Sequence, residues 1–110
     1  MMSYWTHITA CIYLETDIES HNIKNIVEKK LQNAPKITGS EGNADVFVTP
    51  LSGHNLWTSE GEYQTSVCIA IIGDLRDRFK KETQAEYMKF RKWLLKDFDI
   101  RQSSCSIKGY

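Results

Sequence analysis

The chain has 110 residues, a formal net charge of zero and a pI near 6.8. This neutral balance argues against a protein that coats duplex nucleic acid, because the phosphate backbone requires an excess of Lys and Arg. The hydrophobic content of 41% and charged content of 25% are typical of a folded globular protein rather than a disordered chain. We expect a single domain, residues 1–110, that is long enough to bury its own core.

Three cysteines, Cys11, Cys68 and Cys105, are far apart in the sequence. Their odd number and spacing favour buried free thiols in a reducing compartment over disulfides or a zinc site. No apolar run reaches the roughly 20 residues of a membrane span, so we expect no membrane partner. Residues 1–7 lack the basic flank and apolar stretch of a secretion signal. These features predict a cytoplasmic protein, and no motif indicates a cofactor.

The first half of the chain predicts a strand, a helix and a short edge strand. Apolar residues alternate with other residues in the first strand, as expected when one face is buried: Ile8, Ala10, Ile12, Leu14. Asp17 is a suitable helix N-cap, and Pro35 is expected to stop the helix. Between them, apolar residues recur at helical spacing: Ile23, Ile26, Val27, Leu31. A strand over residues 45–49 follows, and we expect Pro50 to end it at a sheet edge.

Residues 52–63 contain Gly53 and Gly61 and predict a long irregular hairpin loop, a type of segment that is often functional. Residues 67–72 are apolar throughout, which predicts a central strand that Gly73 ends. A second helix is expected from Lys80 or Thr83 to Asp97, with an apolar stripe formed by Tyr87, Phe90 and Leu94, joined by Met88 and Trp93. A last strand is expected over residues 102–108.

The predicted order is strand, helix, strand, strand, helix, strand. Two βαβ-like halves joined by a hairpin predict an α+β, ferredoxin-like fold with both helices on one face of an antiparallel sheet. Right-handed crossovers give the expected strand order 4-1-3-2. In this arrangement the start of the first strand, the start of the second and the end of the third lie at the same end of the sheet.

Three polar segments are therefore expected to converge there: residues 5–7, 39–42 and 73–78. The ligand-binding residues that we predict are Trp5, His7, Ser40, Glu41, Asp74, Arg76 and Arg78. Arginine guanidinium groups match phosphate or carboxylate, and the Gly-Ser-Glu-Gly turn exposes backbone N–H groups that bind anions. A catalytic alternative assigns proton transfer to His7 and a divalent cation to Glu41 and Asp74. Each segment also has a structural interpretation, as a strand edge, a plain turn or a salt-bridged loop.

The aromatic-Trp-Thr-His start (residues 4–7), the Gly-Ser-Glu turn (residues 39–41) and the Gly-Asp-Leu-Arg-Asp segment (residues 73–77) together resemble a group of small bacteriophage and prophage proteins of unassigned role. The resemblance covers most of the chain and implies a phage-encoded protein of the host-cell cytoplasm. Small phage proteins of this kind often act against host defences, by inhibiting an effector or by sequestering a signalling nucleotide. The resemblance implies no particular activity.

Three functions compete. The first is a binding module for a host protein or a small anionic ligand such as a signalling nucleotide, with which a homodimer is compatible. The second is a small metal-dependent phosphodiesterase or nuclease that uses His7 with Glu41 and Asp74. No known catalytic signature supports this enzyme. The third is RNA binding through the open sheet face, which the third strand disfavours because it lacks the basic and aromatic residues of RNA-recognition motifs.

Overall fold

The computed structural model describes residues 4–16, 20–57 and 63–109. Within these ranges the chain forms an α+β fold, with two helices, a four-stranded antiparallel sheet and a separate two-stranded hairpin. The elements are β1 (Trp5–Thr16), α1 (Ser20–Leu31), β2 (Thr38–Gly39), β3 (Gly42–Asn43), β4 (Asp45–Trp57), β5 (Tyr63–Arg76), α2 (Lys80–Leu94) and β6 (Asp99–Gly109). Asp17, the predicted cap of the first helix, lies outside the described residues. No helix in the described ranges has the length and apolar character needed to cross a bilayer.

The sheet has the strand order β4-β5-β1-β6, so β4 and β6 are its edges. Alternation decides which face each side chain takes. On β1, Ile8, Ile12 and Leu14 are buried with the apolar residues of both helices, as the period-two pattern predicts. The predicted core of the second helix is confirmed for three residues that are all buried: Tyr87, Phe90, Leu94. Both helices therefore cover one face of the sheet and contribute to one core.

Two apolar residues predicted for helix stripes do not join this core. Ile26 and Met88 are largely exposed, at 41% and 51%. On α1 the buried side chains are Ile23 and Val27, which are one turn apart, and Ile26 lies to the side of that line. The buried face of each helix therefore contains fewer apolar residues than the helix as a whole.

The prediction that Pro50 ends its strand is wrong. β4 continues to Trp57, and residues 52–57 and 63, expected in a loop, belong to the paired strands β4 and β5. The rest of that expected loop, residues 58–62, lies outside the described residues. Because β4 is an edge strand, the N–H group that proline lacks can fall on the unpaired side. The register shifts between Pro50 and Asn55, so the strand accommodates the irregularity without ending.

The prediction that Gly73 ends the central strand is also wrong, because β5 continues to Arg76 and pairs with β1 from Thr65 to Arg76. A Cβ atom at Gly73 would lie 2.8 Å from the Cα atom of Ala44. The glycine is therefore required by close approach of two backbones rather than by a turn.

The Gly-Ser-Glu-Gly segment forms the turn of the short β2–β3 hairpin, in which Thr38 pairs with Asn43 and Gly39 with Gly42. The hairpin is fastened to α2 by one carboxylate. Glu86 Oε2 accepts a hydrogen bond from Thr38 N at 2.8 Å, and Glu86 Oε1 accepts one from Thr38 Oγ1 at 2.7 Å. This attachment sets the position of the turn relative to the sheet.

The three cysteines are free thiols, as predicted, but they are less buried than expected. Cys11 and Cys68 are half-buried, and Cys105 is exposed. Cys105 lies on β6, where an edge strand has a neighbour on one side only. Edge position, which the spacing of the cysteines does not reveal, explains the exposure of Cys105.

Candidate functional site at one end of the sheet

The antiparallel register of β1 and β5 brings two of the predicted segments together. Trp5 pairs with Arg76, and His7 pairs with Asp74. The Nδ1 atom of His7 is within hydrogen-bonding distance of the Oδ1 atom of Asp74. Because directly paired residues share a face, all four side chains project from the face that the helices leave uncovered.

The third segment reaches the same end through the β2–β3 turn. The Glu41 carboxylate accepts a hydrogen bond from Nη1 of Arg76. Ser40 N donates to the carbonyl oxygen of Arg76 at 3.0 Å. A Cβ atom at Gly39 would lie 3.0 Å from the Cα atom of Leu75, so the hairpin backbone rests directly on the end of β5. Glu41 thus meets Arg76, while His7 meets Asp74.

Asp77 links the three segments, and it was not among the predicted ligand-binding residues. Its backbone N–H donates to the carbonyl oxygen of Tyr4 at 2.9 Å, and its Oδ2 atom accepts from Ser40 Oγ at 2.8 Å. Its φ angle of 58° lies in the left-handed region, which Asp adopts more readily than most residues. The sequence signal was the alternation of acidic and basic residues from 74 to 78. It indicated that the segment is functional, but it did not show that Asp77 is the residue that contacts the other two segments.

Arg78 takes a different position from Arg76. Its Nη1 atom donates to the carbonyl oxygen of Asp77 at 3.0 Å, and its own carbonyl accepts from Oγ1 of the buried Thr6 at 2.5 Å. Just beyond it, the rings of Tyr4 and Phe79 stack with their centroids 4.7 Å apart. Arg78 therefore helps to hold the start of α2 against the start of β1. We call the residues of this region the polar end: Trp5, His7, Ser40, Glu41, Asp74, Arg76, Asp77, Arg78.

Two side-chain pairs of the polar end are exposed. The side chains of His7 and Asp74 are 55% and 70% exposed, and those of Arg76 and Glu41 are 35% and 58% exposed. Exposed ion pairs contribute only about 0–1 kcal/mol each, because water and salt screen them. A partner can therefore replace these contacts at small cost, while the backbone hydrogen bonds beneath them keep the side chains in place.

The geometry does not assemble the metal site of the catalytic alternative. Among the described residues, no three or more His, Cys, Asp or Glu side chains are grouped so that they could hold a metal ion. The carboxylate of Glu41 contacts Arg76, and it does not form a common cation site with the carboxylate of Asp74. The structure thus pairs one acid with the imidazole and the other with a guanidinium group.

An apolar surface adjoins the polar end on the uncovered face of the sheet. We call it the open face, formed by Cys11 and Tyr13 on β1, Phe47 on β4, and Cys68, Ala70 and Ile72 on β5. Register places these residues on one side, since Cys11 pairs with Ala70, Ala70 with Phe47 and Tyr13 with Cys68. Ile72, Phe47 and Tyr13 are 51%, 50% and 37% exposed. The sequence signal was a central strand with apolar residues on both faces.

The thiol of Cys68 lies on the open face beside Cys11, and its acidity is strongly reduced. Burial, and to a smaller extent the neighbouring Cys11, together raise the pKa of the Cys68 thiol to about 11. The thiol therefore stays protonated at neutral pH and behaves as a small apolar group.

Comparison of the chain with known protein families, with curated proteins and with solved structures finds no match. The geometry of the polar end and the open face is therefore the basis for assigning a function.

Proposed function

We propose that the chain is a small binding module that contacts a protein partner through the open face and the polar end together. The observation that carries the proposal is the exposure of Ile72, Phe47 and Tyr13 on a sheet face without a covering layer in the described structure. Contiguous exposed apolar surface bounded by polar groups is typical of protein-binding sites. An apolar centre with a charged rim also matches the anatomy of protein interfaces.

The charges of the polar end favour a protein over a small anion. The guanidinium group of Arg76 contacts the Glu41 carboxylate, and that of Arg78 donates to a backbone carbonyl. A phosphate group would have to displace these acceptors before it could bind. A protein surface instead offers both signs of charge, which suit a region with acids and bases interleaved.

The resemblance to small phage proteins supports a biological setting for this module. We propose a phage-type protein that acts in the host-cell cytoplasm by binding a host protein, as an anti-defence function requires. A signalling nucleotide is the competing ligand from the same class of functions, and it is an outcome of the tests below.

We infer a fold of the ferredoxin-like kind. Support comes from the long strands: if the two-residue strands β2 and β3 are left out, the sheet order is second, third, first, fourth along the chain. All neighbouring strands are antiparallel, and both helices pack on one face. The β2–β3 hairpin is an addition to that plan, and it supplies Ser40 and Glu41 to the polar end.

Position-specific photocrosslinking tests the protein partner. A photoreactive amino acid is placed at Ile72 on the open face or, as a matched control, at Met88 on α2, because the two residues are equally exposed at 51%. In phage-infected or host cells we expect a discrete adduct from position 72, heavier than two copies of the chain, and none from position 88. An additional Arg76→Glu substitution should weaken that adduct. Equal labelling at both positions, or no adduct at position 72, would contradict the proposal.

Thermal unfolding with a panel of linear and cyclic nucleotides tests the competing ligand. A ligand that binds only the native state raises the unfolding midpoint. We expect no nucleotide to shift the midpoint of the wild-type chain. A shift that Arg76→Ala abolishes, while Lys89→Ala on the exposed side of α2 retains it, would replace the protein partner with a nucleotide.

A further inference from the structure

Two cysteines lie beside each other on the open face. Cys11 on β1 pairs with Ala70, and Cys68 on β5 pairs with Tyr13, so the two thiols occupy diagonal positions on adjacent strands. Both side chains are half-buried, and both are free thiols. Besides burial, the Cys11 thiol contributes to raising the pKa of Cys68, which shows that the two groups interact. A small apolar residue at either position would serve the contact with a protein proposed above, so that function does not account for two sulfurs.

The surroundings of the pair supply no charged ligand. The residues that pair directly with the two cysteines are all uncharged: Ala70, Ser104, Tyr13, Thr49. Among the described residues, no further His, Cys, Asp or Glu side chain completes a group of three with them. Cys105 pairs with the buried Ala10 and therefore lies on the opposite side of the sheet. The site thus consists of two thiols in neutral surroundings.

The diagonal placement limits what the two sulfur atoms can do together. Diagonal neighbours on adjacent strands have Cα atoms about 7–8 Å apart. A disulfide requires Cα atoms within roughly 4.4–6.8 Å, so a direct bond would have to pull two paired strands towards each other. A metal ion between the sulfurs replaces one S–S bond of about 2.05 Å with two bonds of about 2.3 Å each, and so spans the longer distance. The placement therefore favours a bridging ion over a disulfide.

The number and kind of ligands select the ion. Zinc in structural sites takes four protein ligands and calcium takes six or more oxygen atoms, which two thiols cannot supply. Soft thiolate ligands select Cu(I) among the first-row metals. A filled d shell allows Cu(I) to be stable with two sulfur ligands in a line. Two thiols without a further ligand therefore match this ion.

We propose that Cys11 and Cys68 form a two-coordinate binding site for a soft monovalent metal ion, Cu(I). As the two S–metal bonds form, each thiol releases its proton to the solvent, and no electron is transferred. Metal binding therefore competes with protons, which restricts the site to ions with a high affinity for sulfur. The proposal concerns the chain by itself and does not rest on the protein partner.

Anaerobic titration of the full chain with Cu(I), in competition with a chromogenic Cu(I) chelator, tests the site. All variants carry Cys105→Ser, which removes the exposed thiol on the other side of the sheet. This reference chain should bind one Cu(I), as counted by native mass spectrometry. Cys11→Ser or Cys68→Ser should weaken binding by about a hundredfold or more, because two ligands on one scaffold act at a high effective concentration.

A relocated thiol distinguishes this pair from any two cysteines. The variant Cys11→Ser, Thr9→Cys keeps two thiols on the open face. Thr9 pairs with Ile72, four residues from Cys68 along β5, whereas the partner of Cys11 is two residues away. This variant should therefore bind Cu(I) as weakly as Cys11→Ser, and circular dichroism verifies that each variant is folded.

Two results would overturn the proposal. The first is equal affinity for Cu(I) in the reference chain and in the single or relocated variants, which would mean that other groups hold the metal. The second is a disulfide between Cys11 and Cys68 that forms in the metal-free chain on exposure to air, found by peptide mapping. The two sulfur atoms would then reach each other directly, and the pair would be a redox couple rather than a metal site.

Discussion

The two faces of the sheet are built from the same strands but differ in how deeply their side chains are buried. Ile71 and Ile72 are neighbours on β5, yet the first is fully buried and the second is 51% exposed. On β1, Ile12 and Tyr13 differ in the same way, at 0% and 37%. The helices cover only one face, so apolar residues on the other exceed what the core needs. The apolar residues of the covered face are explained by their contribution to stability. Those of the open face do not pack in the core, so they require a different explanation.

Interaction strength differs between the faces as well. Core residues lose contacts and leave a cavity when they are truncated, which costs several kcal/mol. The side chains of the polar end are joined by exposed ion pairs that contribute little to stability. The exposed pairs of the polar end can therefore be exchanged for contacts with a partner at small cost. The buried contacts of the core cannot be exchanged in this way. Four measurements test this contrast, in order of decreasing effect.

Truncation of the two neighbouring isoleucines tests the contrast most directly. Ile71→Ala should lower the free energy of unfolding by about 2–5 kcal/mol, because it creates a cavity in the covered core. Ile72→Ala should lower it by less than about 1 kcal/mol, since its side chain is half in water. Urea unfolding of both variants measures the difference. Similar losses would mean that the open face is covered within the chain.

Thiol reactivity measures how well the open face shields Cys68. Because its pKa is raised from an ordinary 9.0 to about 11, the thiolate at pH 8 should be about a hundredfold scarcer than for an ordinary thiol. Alkylation of Cys68, followed by mass spectrometry, should accelerate as the pH rises from 9 towards 11. Cys11→Ser should lower the pKa, since Cys11 contributes to raising it. The denatured chain is the control, and equally fast alkylation of Cys68 in native and denatured chains at pH 8 would contradict the shift.

Removing the Glu86 carboxylate should release the β2–β3 hairpin from α2. Glu86→Ala deprives Thr38 of acceptors for its N–H and hydroxyl groups, and we expect a loss of about 1–3 kcal/mol. Hydrogen exchange of the Ser40 amide should quicken, because the turn is no longer held against β5. Glu86→Gln keeps an acceptor oxygen and should retain part of the stability. Unchanged exchange at Ser40 in Glu86→Ala would show that the carboxylate does not position the turn.

Neutralising the acid beside His7 should have the smallest effect. Asp74→Asn alters one exposed contact with the His7 ring and should cost less than about 1 kcal/mol. Asp97→Asn, which breaks the surface pair with Lys30, is the matched control and should behave alike. A loss well above that of the control would mean that the polar end is a stabilising network, which would weaken the argument that a partner can replace its contacts.

Local periodicity was sufficient to predict much of the fold. The alternation on β1 and the helical spacing of Tyr87, Phe90 and Leu94 identify buried faces, because side-chain direction within an element follows from its backbone geometry. Chain direction was sufficient to bring His7, Glu41 and Asp74 to one end of the sheet. These inferences require only the residue and its neighbours along the chain.

The two wrongly predicted strand ends cannot be corrected from local sequence alone. Pro50 and Gly73 read as strand ends, yet each lies inside a strand. Proline disrupts a sheet only where its missing N–H faces a neighbour, and β4 has one neighbour only. Gly73 is needed because Ala44 presses on its backbone. The meaning of both residues depends on what lies beside them.

The sequence by itself determined the order of the two helices and the four long strands, most of the residues that they bury and the end of the sheet at which the polar segments meet. Only the tertiary structure decided that His7 faces Asp74, that Glu41 faces Arg76 and that Asp77 joins three segments. It also decided that an apolar face and the edge of β4 are left uncovered. The physical reason is that periodicity acts over a few neighbouring residues, whereas register and packing are set by contacts between residues far apart along the chain.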